Sequence, residues 1–168
     1  ILEALKEAGM YEDTAVFFFS DHGDFTGDYG LVEKTQNTFE DCLCRVPFLI
    51  KPPSGIPFTP GIRDALVELV DFPATVEAMT GITLQYSHFG RSLLPLLEKE
   101  TSHRDAVFCE GGRLDTELHA SEQESIPDDP EMSLYWPRMH AQTTDPIAHT
   151  KATMCRTQRY KYVRRLYE

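Results

Sequence analysis

The chain has 168 residues, a formal net charge of −11 and a hydrophobic content of 41%, which is ordinary for a chain long enough to bury a sizeable core. This negative charge argues against nucleic acid as a partner, because phosphate binding needs a basic surface. No apolar run approaches the roughly eighteen residues that a membrane-spanning helix needs. An anionic substrate would therefore have to be attracted locally, by a metal or by individual basic side chains.

The start of the chain predicts a helix and two strands. Apolar residues recur there at helical spacing and are followed by a glycine that predicts the helix end: Ile1, Leu2, Leu5, Ala8 and Gly9. Apolar runs at 15–19 and 46–50 predict two strands, with a short helix at 38–44 between them. The first run contains no polar residue, which is typical of a strand buried on both faces in a parallel sheet.

A longer helix is predicted over residues 71–81. Asp71 is its expected N-cap, and Pro73 falls in the first turn, where a missing N–H is tolerated. Val76 and Met79 are expected to face the sheet as ordinary core residues.

Chemically active side chains follow the first predicted strand directly. Asp21, His22 and Gly23 come at its carboxyl end, where ligands collect in open α/β sheets. A carboxylate supplies a hard oxygen and an imidazole supplies a nitrogen, so the pair predicts a metal site. Gly23 permits a sharp turn or a close approach to a ligand. The alternative is that Asp21 caps a turn and His22 is a hydrogen-bonded loop residue.

Lys34 follows His22 by twelve residues and is the candidate cation for the same site. The loop between them contains Gly23, Gly27 and Gly30, which would allow it to fold back. An ammonium group in this place suits an anionic ester oxygen. The alternative is a solvated surface lysine.

Residues 101–168 have a different character from the first hundred. Strands are predicted at 106–109 and 152–163, the second with tyrosines on one face and basic residues on the other. The acidic segment 121–131 is predicted to be a solvated loop.

Five ordered motifs, which together cover nearly the whole chain, closely resemble the second half of a sulfatase and, more broadly, the alkaline phosphatase superfamily. They lie at 20–34, 45–50, 70–75, 90–97 and 156–163. In the third motif Ala74 stands between Pro73 and Thr75, whereas the family has Asp-x-x-Pro-Thr.

The resemblance implies an α/β fold in two regions. Residues 1–100 would form part of an alkaline-phosphatase-like mixed or parallel sheet flanked by helices. Residues 101–168 would form a C-terminal subdomain with a small antiparallel sheet and long loops that shape access for the substrate. In those loops His149 and Lys151, which directly precede a predicted strand, are candidate substrate-binding residues.

The resemblance also implies the reaction, which is hydrolysis of a sulfate ester with metal assistance. Asp21 and His22 would bind the metal, Lys34 and His22 would be catalytic, and Lys34 would also bind substrate. Calcium is the first choice on family grounds, although an imidazole ligand suits manganese or zinc better. The Asp-His pair resembles the choline sulfatase, iduronate sulfatase and phosphonate monoester hydrolase branches.

The family nucleophile is a formylglycine made from the Cys or Ser of a Cys/Ser-x-Pro-Ser-Arg motif, which does not occur here. Four cysteines lack the following Pro-Ser-Arg and are expected to be buried free thiols: Cys42, Cys44, Cys109 and Cys155. We therefore expect a C-terminal fragment whose formylglycine lies in a missing N-terminal part, and which is inactive when isolated.

The expected partner is an anionic sulfate-ester or phosphate-ester small molecule or glycan. Two alternatives stay open at this point. One is a phosphodiester or phosphonate monoester hydrolase of the same superfamily. The other is a non-catalytic role for the polypeptide as isolated.

Overall fold

A computed structural model describes residues 1–120 and 136–166. The described part is a mixture of short helices and short antiparallel strands. The helices are α1 Leu2–Glu7, α2 Asp41–Cys44, α3 Asp71–Thr80, α4 Leu94–Glu98 and α5 Trp136–Thr144. The strands are β1 Val16–Phe19, β2 Phe48–Lys51, β3 Val107–Gly111, β4 Ala152–Arg156 and β5 Lys161–Arg165. Within these ranges no helix is both long and apolar enough to cross a bilayer. The predicted acidic loop at 121–131 lies outside the described residues.

The residues cluster into two compact units, and each is made of two chain segments. The first unit contains Ile1–Asp21 and Val46–Val107, and the second contains His22–Arg45 and Phe108–Glu168. The chain therefore leaves the second unit after Arg45 and re-enters it at Phe108. The predicted division into regions near residue 100 remains a prediction.

In the first unit β1 and β2 pair antiparallel, with Val16 opposite Lys51 and Phe19 opposite Phe48. Both strands are shorter than the apolar runs that predicted them. Burial on both faces was the wrong prediction for β1, because Phe18 is 64% exposed. The rings of Phe17 and Phe19 point to the other face, where their centroids lie 4.9 and 5.1 Å from that of Phe72 on α3. Phe19 nevertheless stays 38% exposed, so this all-apolar run of four residues is only partly covered.

Helix α3 is close to its prediction but begins differently. Val70 is the N-cap and Asp71 is the first helical residue, fully buried, so the predicted N-cap role of Asp71 is wrong. The helix ends at Gly81, whose φ of 70° is the left-handed conformation that favours glycine. The buried helix face carries Ala74 and Thr75, whereas the predicted Val76 and Met79 are only half-buried.

Thr75 joins α3 to the segment before α4. Its hydroxyl donates to the Asp71 carbonyl at 2.7 Å and accepts from the Leu93 backbone N–H at 2.9 Å. The predicted apolar stripe of α1 is mostly exposed, with only Leu5 half-buried, and the helix ends before Gly9, where φ is 67°.

In the second unit three strands lie in the order β3-β4-β5. The single strand predicted at 152–163 is instead an antiparallel hairpin, in which Ala152 faces Arg165 and Arg156 faces Lys161. Its turn is closed by a hydrogen bond from the Thr157 N–H to the Tyr160 carbonyl at 2.8 Å. The buried cluster of this unit contains Phe39, Ala152 and Met154, with Cys44, Cys109 and Val163 packed against it.

Candidate functional site

The predicted metal ligands lie directly after β1. Asp21, the last residue of the first unit, is exposed, and His22, the first residue of the second unit, is half-buried. The His22 Nδ1 lies 2.9 Å from the Gly23 carbonyl oxygen. A carbonyl only accepts, so Nδ1 carries the hydrogen and donates it. A hydrogen bond from Nδ1 to a backbone carbonyl is how metal-binding histidines are commonly held, with Nε2 as the atom that binds the metal.

Gly23 is required by a close approach of the loop to α2 rather than to a ligand. Its N–H donates to the Leu43 carbonyl at 2.8 Å. A Cβ at this position would lie 1.9 Å from the Cys42 carbonyl oxygen. The hydrogen bond and the close approach therefore hold the loop after His22 against the backbone of α2.

The loop between His22 and Lys34 turns through several left-handed residues. Thr26, Gly27, Tyr29 and Gly30 all have positive φ, and the two non-glycine residues, Thr26 and Tyr29, pay a steric cost for it. Phe25, at 1% exposure, anchors the loop in the unit. These conformations reverse the chain, as the glycines predicted.

The loop closes where Lys34 meets Asp24. The Lys34 backbone N–H donates to the Asp24 Oδ1 at 3.0 Å, which returns Lys34 to a point two residues from His22 in sequence. The Lys34 side chain is half-buried. The structure thus brings the backbone of Lys34 back to the start of the loop that His22 opens.

A pocket of about 520 Å³ lies in the same unit, between this loop, α2 and the β4–β5 turn. In the pocket lining the Asp41 carboxylate accepts from Arg156 Nη1 and, at 2.7 Å, from Lys161 Nζ. The bonds from Lys161 and then from Arg156 hold the pKa of Asp41 below its ordinary value. The rings of Tyr29 and Tyr160 at the pocket are 75% and 69% exposed.

The pocket was not predicted from the sequence, because its lining joins residues that are distant in the chain. Asp41 lies 115 residues from Arg156 and 120 from Lys161. The loop side of the pocket is formed by Asp28 and Tyr29, which lie between His22 and Lys34 in sequence. The Tyr29 hydroxyl donates to Glu40 Oε2 at 3.4 Å, and the Glu40 charge raises the pKa of Tyr29.

His149, a predicted substrate contact, is buried and hydrogen-bonded inside the second unit. The residue is 6% exposed, and its Nδ1 donates to the Gln142 carbonyl at 2.8 Å. Its Nε2 lies 2.7 Å from the Asp115 carboxylate. Both ring nitrogens therefore have partners inside the unit, and the substrate contact of His149 stays a prediction. Lys151 is half-buried one residue before β4, and its substrate contact stays a prediction.

Among residues 1–120 and 136–166, no group of three or more His, Cys, Asp or Glu side chains is placed to hold a metal. Asp21 and His22 are two donors of suitable chemistry, one carboxylate oxygen and one imidazole nitrogen. This donor set fits a divalent cation but makes up only part of a shell of four to eight ligands.

Comparisons with known proteins relate the chain to a family. A sequence model of the sulfatase family matches residues 1–82, which include Asp21, His22 and Lys34. The chain is 36% identical over 97 residues to the extracellular sulfatase SULF-1 homolog of Drosophila melanogaster, an alignment that covers 58% of this chain and 8% of that protein. It is 35% identical over 100 residues to the choline-sulfatase of Rhizobium meliloti, covering 58% of this chain and 19% of that protein.

The fold is also found among solved structures. The phosphonate monoester hydrolase SpPMH from Silicibacter pomeroyi superposes with a TM-score of 0.66 at 26% identity, covering 98% of this chain and 29% of that one. The chain therefore spans less than a third of the length of these relatives. The match of residues 1–82, the two sulfatase relatives and the shared alkaline-phosphatase-like fold all support an assignment to the sulfatases of the alkaline phosphatase superfamily.

Proposed function

We propose that this protein is a sulfuric ester hydrolase in which Asp21 and His22 bind a divalent metal and Lys34 binds the ester. The observation that carries the proposal is the closed loop of the second unit. It begins at His22, and the hydrogen bond from the Lys34 N–H to Asp24 returns it to its start. In this proposal the loop brings a metal ligand and a cation from positions twelve residues apart to one anionic ester, and the backbone bond of Lys34 to Asp24 supports it.

For the metal we propose Ca²⁺ first, with Mn²⁺ or Zn²⁺ as alternatives. Asp21 would supply an anionic oxygen and His22 its Nε2, with the ring held by the bond from Nδ1 to the Gly23 carbonyl. The metal, when bound, would act as a Lewis acid on the oxygens of the ester group. Other residues of the protein would complete the shell.

Lys34 acts in this proposal as a donor to charge that develops on the sulfate or on the leaving oxygen. A compact ammonium group with three N–H donors suits this role in a partly desolvated site. His22 contributes as a metal ligand of fixed orientation. Its hydrogen bond to the Gly23 carbonyl fixes the tautomer, and the close approach of Gly23 to α2 fixes the position of the backbone.

The nucleophile of the proposed reaction is formylglycine, and its precursor motif does not occur in these 168 residues. The proposal therefore requires a nucleophile from other residues of the protein. All activity measurements below accordingly use the complete protein, and the 168-residue chain alone is expected to show no turnover.

The organic part of the substrate is proposed to lie in the pocket beside Tyr29. Three carboxylates and three cationic side chains line this pocket, which suits a polar ligand without a strong net charge. Two exposed tyrosine rings add flat apolar surface, so a sugar or a small organic alcohol fits the pocket. A sulfated glycan or small molecule is thus the proposed substrate class.

A second candidate is a phosphonate monoester or phosphodiester hydrolase. The likeness that favours it is the superposition on SpPMH, whose name states that activity. The same metal pair and the same lysine would serve a phosphoryl group, because both esters present anionic oxygens to the site.

Turnover of two matched aryl esters by the complete protein separates these proposals. The substrates are para-nitrophenyl sulfate and the para-nitrophenyl monoester of phenylphosphonate, compared by kcat/KM at equal concentrations. A sulfatase should prefer the sulfate ester. A preference for the phosphonate would support the second candidate. No turnover of either ester, in a preparation shown to contain both metal and formylglycine, would contradict both.

A further inference from the structure

Cys44 and Cys109 mark the two places where the chain passes between the compact units. The chain leaves the second unit after Arg45, one residue beyond Cys44. It re-enters this unit at Phe108, one residue before Cys109. Both cysteines therefore belong to the second unit, and they lie at the two ends of the segment 45–108.

Both thiols also occupy the same environment. Each side chain is a half-buried free cysteine, and both pack against the cluster of Phe39, Ala152 and Met154. The Cys44 and Cys109 thiols share a hydrogen bond. Cys44 ends α2 and Cys109 lies on β3, so this contact joins two elements that are distant in sequence.

We propose that Cys44 and Cys109 form a reversible disulfide that joins α2 to β3 and closes the loop of residues 45–108. The proposal goes beyond ester hydrolysis, because neither thiol belongs to the candidate site. Closing a loop of this length restricts the unfolded chain, so the oxidised form should be more stable than the reduced form.

The chemistry proceeds by thiol–disulfide exchange with a small-molecule disulfide such as oxidised glutathione. The hydrogen bond to Cys109 and the burial of Cys44 raise the pKa of Cys44, so we assign the second step of the exchange to Cys44. The Cys109 thiolate attacks the glutathione disulfide, and one glutathione thiolate leaves. Cys44 then loses its proton to solvent and attacks the Cys109 sulfur, releasing the second glutathione. Two protein thiols are oxidised and one glutathione disulfide is reduced to two thiols.

Trypsin gives peptides that test this pairing directly. Cleavage after Lys34, Arg45, Arg104 and Arg113 yields peptide 35–45, which holds Cys42 and Cys44, and peptide 105–113, which holds Cys109. Cys155 falls in the separate peptide 152–156. The complete protein is incubated with defined ratios of reduced to oxidised glutathione, alkylated, digested without reductant and analysed by mass spectrometry.

We expect peptides 35–45 and 105–113 to appear as a linked pair that reductant separates. The pair should persist in Cys42→Ser and Cys155→Ser, which are the matched controls, and disappear in Cys44→Ser. The unfolding midpoint of the wild-type protein should rise by about 5–10 °C on oxidation. Absence of the linked pair in folded wild-type protein, at ratios that fully oxidise a small dithiol, would overturn the proposal. A link through Cys42 or Cys155 instead would overturn it as well, and neither result requires a variant to fold.

Discussion

Arg104 donates from its Nε to Asp71 Oδ2 at 3.2 Å and from Nη2 to Asp71 Oδ1, which makes a two-pronged ion pair at the start of α3. The Asp71 side chain is fully buried and that of Arg104 is 9% exposed. Further donors to the same carboxylate are the backbone N–H groups of Glu68 and Arg91, at 3.0 and 2.8 Å. One carboxylate therefore ties α3 to the segments on both sides of it.

Arg104→Leu should destabilise the protein by about 3–5 kcal/mol, because it leaves the Asp71 charge buried without its main partner. The measurement is the free energy of unfolding from a denaturant titration. Arg164→Leu, which removes an exposed guanidinium on β5, is the matched control and should change stability by less than about 0.5 kcal/mol. Equal losses in the two variants would contradict the role given to the pair.

The stability of the protein at acid pH should depend on Asp71. Burial acts to raise the pKa of Asp71, but the hydrogen bonds from Arg104, the Glu68 and Arg91 backbones and His103 outweigh it, so the pKa stays below its ordinary value. A carboxyl group of this kind stabilises the fold fully above its unfolded pKa of about 3.9. That contribution is lost as the pH falls through the lower pKa of the folded state.

The stability difference between the wild type and Asp71→Asn should therefore be largest above about pH 5 and shrink towards about pH 2. Unfolding midpoints at a series of pH values measure it. A difference that stays constant over this range would show that ionisation of Asp71 does not contribute.

Lys34→Ala in the complete protein should lower kcat/KM for a sulfate ester by roughly two to three powers of ten, the scale for loss of one electrostatic stabiliser. The kcat/KM of Lys34→Arg should be little higher than that of Lys34→Ala, because a planar guanidinium does not replace a compact ammonium. Lys99→Ala, an exposed lysine just after α4, serves as the control and should leave the kinetics unchanged. A less than twofold change in both Lys34 variants would make Lys34 a surface residue.

Gly23→Ala should cost about 1–3 kcal/mol of stability, because its Cβ would lie 1.9 Å from the Cys42 carbonyl oxygen. The same variant should lose activity, since the displaced loop carries His22. Gly9→Ala tests conformation without crowding, because Gly9 has a φ of 67° and nothing near its absent Cβ. We expect Gly9→Ala to lower the stability by about 1 kcal/mol and to retain activity. Unchanged activity in Gly23→Ala would contradict the positioning role of the loop.

Local patterns predicted the parts of the site that are close in sequence. The apolar run before Asp21 located a strand end, and the glycines before Lys34 indicated a loop that folds back. The contacts of Asp41 with Arg156 and Lys161 could not be predicted, because they depend on the register of a hairpin more than a hundred residues away. Nothing in a single sequence sets that register.

The errors have physical causes as well. Residues 152–163 looked like one strand because the turn at 157–160 contains no Gly, Pro, Asn or Asp to signal it. The run at 15–19 looked buried on both faces because apolar composition alone does not say which face has a partner. The position of His149 before a strand likewise did not indicate its burial or its hydrogen bonds with Asp115 and Gln142.

The central claim is that Asp21 and His22 bind the metal on which sulfate ester hydrolysis depends. Its most direct test measures bound divalent metal and turnover of para-nitrophenyl sulfate together, in the complete wild-type protein and in Asp21→Ala, with Asp64→Ala, another exposed carboxylate of the first unit, as the control. We predict that the wild type and Asp64→Ala hold about one metal ion per chain and turn over the ester, whereas Asp21→Ala loses both. An Asp21→Ala protein that keeps its metal and its rate would contradict the account.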